Sequence, residues 1–124
     1  MIVVKDFAGV AFHTATSEQR GDVWVRLSGN ADMAADAGLD VYLKTLHAEM
    51  MRLGRKRVNV DLRELYFMNS TCLKHLVTWI TSIQEAPKMA RYTISIQSNS
   101  VLRWQRRSLD ALKNLGGDTI EIVG

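Results

Sequence analysis

Little in this chain of 124 residues can cross-link, kink or anchor it. A single cysteine, Cys72, excludes an intramolecular disulfide framework and fits a reducing compartment. One proline, Pro87, together with 47% apolar and 23% charged residues, separates the composition from collagen-like and disordered chains. No apolar run approaches the ~20 residues that a membrane span requires. The start, Met1 to Asp6, lacks the basic leader and small-residue cleavage site of a secretory signal, so a cytoplasmic protein without a membrane partner is expected. The formal charge of +3 is too small to imply direct nucleic-acid binding by itself. Fingerprints of catalysis are missing too: there is no Gly-x-x-x-x-Gly-Lys, no Gly-x-Gly-x-x-Gly and no Gly-x-Ser-x-Gly. His13, His47 and His75 fall in different segments with no metal-ligand spacing among them or with Cys72. A non-enzyme with no catalytic residue, no metal and no cofactor is the expectation.

What is present is a regular alternation of short strands and longer helices. Val10–His13 and Val23–Leu27 are strand candidates forming a hairpin, with Gly21-Asp22 as the turn signal and Ile2–Lys5 as a further edge strand. Leu39, Leu43, Leu46, Met50 and Leu53 recur at the spacing of one helical face, and Gly54 supplies a stop. Val58–Leu62 alternates as a strand. A helix begins near Ser70 with Leu73, Leu76, Val77 and Ile80 on its buried face, and Pro87 marks its end. Tyr92–Ile96 is a strand, and a helix from about Ser100 sets Val101, Trp104, Leu112 and Leu115 along one side before Gly116-Gly117. Thr119–Val123 is the last strand. The order predicts one α/β domain over residues 1–124, a mixed sheet of about five strands with parallel strands joined by right-handed crossovers. Three or so helices cannot shield both faces of such a sheet, so they are expected mainly on one.

The most informative stretch is Val58 to Leu73, which places Ser70 and Thr71 where a strand gives way to a helix. Ser, Thr, Asp and Asn are the common helix N-caps, worth ~1 kcal/mol each, so Asn69-Ser70-Thr71 also has a purely structural reading. Two segments resemble the STAS family, the domain shared by bacterial anti-sigma factor antagonists and the cytoplasmic tails of anion transporters. Val23-Trp24-Val25-Arg26-Leu27-Ser28-Gly29-Asn30-Ala31-Asp32 is similar to the family's strand-Gly-x-x-Asp approach to its first helix. Asp61-Leu62-x-x-Leu65-x-Phe67-Met68-Asn69-Ser70-Thr71-Cys72-Leu73 is similar to its Asp-Leu-Ser…Asp-Ser-Ser-Gly-Leu signature.

The resemblance implies a phosphoprotein of bacterial signal transduction, a partner-switching regulator in which Ser70, or alternatively Thr71, is phosphorylated. The implied partners are an ATP-binding protein kinase of the anti-sigma type, or another signalling enzyme, and a phosphatase. Asn30, Asp32, Tyr66, Met68, Asn69 and Thr71 are the expected partner-binding residues. Asn69 stands where the family has Asp, Thr71 where it has the second Ser and Cys72 where it has Gly, which removes one negative charge beside the prospective phosphate. The Leu65–Lys74 stretch also resembles a divergent branch of STAS-like regulators whose partner can be a diguanylate cyclase. A scaffold subunit of a signalling assembly is a further alternative.

Other residues have plainer expectations. Cys72 near a helix start reads as a small buried hydrophobe, and the histidines as surface or half-buried. Of Met33, Met50, Met51, Met68 and Met89, only Met68 neighbours the phosphosite. Tyr66 and Phe67 lie in the loop leading to it, with Phe67 the core residue of the two. Between Ala86 and Arg107 stand Lys88, Arg91, Arg103, Arg106 and Arg107 with no acidic residue, so one positive region of surface is expected. Trp104 among the arginines raises a nucleic-acid reading, against which stands a solvated helix face with the indole turned inward.

Overall fold

The strand β2, Asp22–Ala31, organises the sheet, because its alternating Val23, Val25 and Leu27 are all buried while Arg26 between them is exposed. Preceding it, β1 (Phe12–Gln19) pairs antiparallel from Phe12↔Gly29 to Gln19↔Asp22. The two residues between them, Arg20 and Gly21, both have positive φ, the geometry that matches a two-residue turn to strand twist. The computed structural model describes all 124 residues. After β2 come α1 (Asp36–Leu53), β3 (Arg57–Asp61), β4 (Leu65–Met68), α2 (Ser70–Glu85), β5 (Thr93–Gln97), α3 (Arg103–Gly116) and β6 (Ile120–Val123).

These strands form one six-stranded mixed sheet in the order β1-β2-β3-β5-β6, with β4 continuing beside the far half of β2. All pairings except β1 with β2 are parallel. One face carries Val23, Val58, Ile94 and Ile120 in a single row across four strands, and the three helices bury it. The opposite face bears Asn59 and Asp61 and the Arg57–Glu121 ion pair at 2.7 Å, polar groups that need no second layer. Burying the apolar face is the main stabilising term, at ~25 cal/mol per Å² removed from water. No helix is long and apolar enough to cross a membrane.

Several expectations need correction. Ile2–Lys5 is not a strand. Its amides are captured by carboxylates instead, Ile2 N–H by Glu18 at 2.5 Å and Val3 N–H by Glu49 at 2.7 Å, so the arm covers the outer edge of β1 without adding a full ladder. Leu65–Met68, expected as loop, is β4. In α2 the buried stripe is Cys72, Leu76, Trp79, Ile80 and Ile83, rotated from the predicted face, with Leu73 and Val77 on its flank. In α3 it is Gln105, Leu109, Leu112 and Gly116, while Val101 and Leu115 are exposed, because the Gln105 amide is drawn inward by backbone partners. The basic run does not make one patch. Lys88 and Arg91 precede β5 and the three arginines follow it, at opposite ends of a strand of 5 residues that spans ~16 Å.

Candidate functional site

Parallel strands joined by crossovers bring the N-termini of α1, α2 and α3 to the same end of the sheet. Ser70 is the first residue of α2 and is exposed, as is Thr71. Asn69 before them has extended backbone (φ −75°, ψ 168°), and its Oδ1 accepts the Cys72 N–H at 2.8 Å. The helix geometry leaves the amides of Ser70 and Thr71 without an intrahelical acceptor, beside the positive end of the helix dipole. An anionic group on the Ser70 oxygen is therefore electrostatically accommodated, and the hydroxyl carries no structural hydrogen bond that its modification would break.

The two segments singled out from the sequence meet here. Asn69 N–H donates to Ala31 O at 2.9 Å, and the Cys72 thiol donates to Asp32 O at 3.5 Å. Asn30 lies in register with Phe67, and Ala31 with Met68, through the β2–β4 pairing. Asp32 caps the short turn ahead of α1, its Oδ1 accepting the Ala34 N–H at 3.0 Å. The structure thus gives Asn69 and Asp32 capping roles.

Exposure separates the remaining residues. Tyr66 and Phe67, consecutive residues of β4, are 56% and 47% exposed, so Phe67 is not the core residue expected. Met68 is 8% exposed and belongs to the core, its side chain facing away from the surface on which a partner contact was expected. Met33 is 86% exposed on the turn between β2 and α1, beyond Asp32. The sequence reading named both Phe67 and Met33, but set Phe67 in the core and gave Met33 no place beside the phosphosite. No sequence signal marks them: the run Leu65-Tyr66-Phe67-Met68 is apolar throughout, and which of its residues are exposed depends on what packs against β4.

Cys72 is buried, and burial, followed by the carboxylates of Asp36 and Asp32, pushes its thiol up to about 11. It is a packing residue with no thiolate at neutral pH. Trp104 points inward, its Nε1–H donating to Leu65 O at 3.2 Å, so no aromatic ring stands among Arg103, Arg106 and Arg107 for a base to stack on. His75 bridges α2 to the start of α1, its Nε2 lying 2.6 Å from Asp36 Oδ1. Asp61 of the signature is 6% exposed and receives the Arg63 backbone N–H at 3.0 Å and its guanidinium at 2.9 Å. Those Arg63 contacts hold its carboxyl below the usual range, a structural use of this residue at the turn out of β3.

No known family profile matches the sequence, and no curated protein matches it. In three dimensions the chain superimposes on the crystal structure of an anti-sigma factor antagonist from Mycobacterium paratuberculosis with a TM-score of 0.65. The match covers 92% of this chain and 88% of that one at 18% identity. The fold is STAS-like. At that identity it is the arrangement of strands and helices that the two share. Within this STAS-like frame the residue at the start of α2 is set by the Asn69 cap. Asn69→Ala should lower stability by ~1 kcal/mol, whereas Asn69→Asp, an equally good cap, should change it by less than ~0.5 kcal/mol in a urea titration.

Proposed function

We propose that this chain is a non-catalytic, cytoplasmic partner-switching regulator controlled by phosphorylation of Ser70. In its unmodified form it binds a kinase-type or other signalling-enzyme partner through the surface formed by Asn30, Tyr66, Phe67, Ser70 and Thr71. The observation that carries the reading is the exposed Ser70 at the first position of a helix that directly follows β4, the strand carrying the exposed Tyr66 and Phe67. An exposed tyrosine and an exposed phenylalanine on the strand leading to Ser70 are residue types that interfaces favour as anchors. The likeness of fold to an anti-sigma factor antagonist supports the same reading.

Phosphate brings about −1.5 to −2 charges and three acceptor oxygens. Set beside Tyr66 and Phe67, it would place a strongly hydrated group where the partner must exclude water. A loss of ~3 kcal/mol lowers affinity by a factor of ~150, enough to end binding at cellular concentrations without a conformational change. A phosphatase restores the binding form. Asn69 in place of an acidic residue keeps the site less negative before modification. A diguanylate cyclase is the alternative partner for the same surface.

The test is intact-mass analysis after incubation with ATP and a purified kinase of the anti-sigma type. Wild type should gain one phosphate, Thr71→Ala should gain one, and Ser70→Ala none. Equal modification of wild type and Ser70→Ala would reject the site. Loss of modification in Thr71→Ala alone would move it by one residue.

A further inference from the structure

Beneath the helix layer, away from Ser70, three side chains from three elements form one hydrogen-bonded chain. Trp79 of α2 donates its Nε1–H to the hydroxyl of Tyr92, just ahead of β5, at 2.7 Å. The same hydroxyl lies 2.7 Å from Nδ1 of His47 on α1. Trp79 and Tyr92 are buried. An indole nitrogen only donates, so the Tyr92 oxygen accepts from it, and the single phenolic proton is left to go to His47. His47 Nδ1 is the one acceptor within reach of that proton, which makes Nδ1 bare and sets the ring proton on Nε2.

From this directionality the geometry points to a proton-sensitive latch: neutral His47 completes the chain that fastens α1 to α2 and β5, and protonation of His47 unfastens it. A charged imidazole carries hydrogen on both nitrogens and cannot accept. The Tyr92 proton would face a donor, in a site where burial holds the phenol above its ordinary range and so keeps it protonated. Unsatisfied buried donors are costly, so the chain and the charge exclude each other.

The charged and titratable groups around the imidazole do not replace the lost acceptor. His47 lines a cleft of about 90 Å³ between α1 and α2 with Asp40, Lys44 and His75. Asp40 and Lys44 pair with each other at 3.1 Å, and His75 is held by Asp36 and, more loosely, by Asp40. Burial lowers the pKa of His47. A histidine whose folded pKa is depressed contributes stability that is present above the unfolded value of ~6.5 and is lost as pH falls through the folded value.

The experiment has two readings on the intact chain. Nitrogen NMR of the wild type near neutral pH should show His47 with Nε2 protonated and Nδ1 bare. Finding the proton on Nδ1 overturns the latch whatever the variants do. Denaturant unfolding between pH 8 and pH 5 should then give an unfolding constant that rises as the pH drops below ~6.5, with a slope of up to tenfold per unit from this one proton. His47→Gln, whose amide oxygen accepts from Tyr92 but does not titrate, should lose that component. An acid slope identical in wild type and His47→Gln overturns the proposal. If His47→Gln fails to fold, Tyr92→Phe serves: the His47 titration midpoint should move up once the hydroxyl is gone, and an unchanged midpoint counts against the latch.

Discussion

Gly29→Ala should lower the stability of this domain by roughly 4 kcal/mol, in the range reached only by the severest single substitutions. Gly29 has φ +92°, and a Cβ built there would sit 2.0 Å from the carbonyl oxygen of Ala11. That neighbour is backbone, so it cannot rotate away. The position is also where β2 changes partner. Its register shifts between Gly29 and Asn30, and the Gly29 N–H donates to Glu64 O at 2.9 Å as β4 takes over from β3. A bulge of this kind re-aims the strand that follows. Here the strand beyond it sets Asn30 opposite Phe67, so the clash would also disturb the proposed docking surface. For a domain of this size the loss corresponds to a fall in Tm of roughly 12–20 °C. Gly21→Ala separates the two causes, since φ there is +84° with nothing within 4 Å of the added carbon. It should cost only ~1 kcal/mol of backbone strain. Similar Tm values for the two variants would show that the approach of Ala11 is not what requires glycine at 29.

The glycine of the Gly-x-x-Asp stretch was legible as a motif before its geometry was known, and the reason for it is local. The same holds for the hairpin turn at Gly21, for the stop at Gly54, for the end of α2 ahead of Pro87, and for the apolar alternation of Val58 and Val60, whereas the strand expected at Val10–His13 runs Phe12–Gln19. Each is set by a few residues and one backbone rule. What was not legible depended on contacts between distant segments. β4 has four residues with two exposed aromatics in its middle, so neither period appears in it, and only the open side of β2 makes it a strand. The N-terminal arm has strand composition, yet Glu18 and Glu49, far along the chain, take the hydrogen bonds a neighbouring strand would have received. The face of α2 turned toward Cys72 and Trp79 because the indole N–H has its partner in Tyr92. At the candidate site, Ser70 was found from the spacing to Asp61. Phe67 was placed in the core by its position in the signature, yet it is 47% exposed, although strand alternation would set it with the buried Leu65.

The clearest case is α3, where apolar spacing favoured Val101, Trp104, Leu112 and Leu115, while the core took a glutamine. Gln105 is 1% exposed and its amide is fully used: Nε2 donates to Leu62 O at 2.6 Å and to Leu65 O at 3.0 Å, and Oε1 accepts the Asn99 N–H at 2.8 Å. It thereby joins the break between β3 and β4 to the loop after β5. Gln105→Leu keeps most of the volume and removes all three bonds. The two carbonyls retain other donors, the Leu65 N–H for Leu62 O and the Trp104 indole for Leu65 O, but the Asn99 amide is left with none of its own. One orphaned donor at ~1–3 kcal/mol and two weakened acceptors give an expected loss of about 3 kcal/mol, a factor of ~150 in the unfolding constant. Gln105→Glu should be worse at neutral pH, because a buried carboxylate would face two carbonyl oxygens. It should regain stability as pH falls, since the protonated acid can donate once more; its folded pKa lies above the unfolded one, so that contribution appears on the acid side. Hydrogen exchange supplies the link to the proposed docking surface. Amides of Tyr66 to Met68 should exchange faster in Gln105→Leu than in a variant equally destabilised elsewhere, such as Leu46→Ala in the core beneath α1. Equal exchange in the two would mean that β4 is held by β2 alone and that α3 has no part in presenting Tyr66, Phe67 and Ser70.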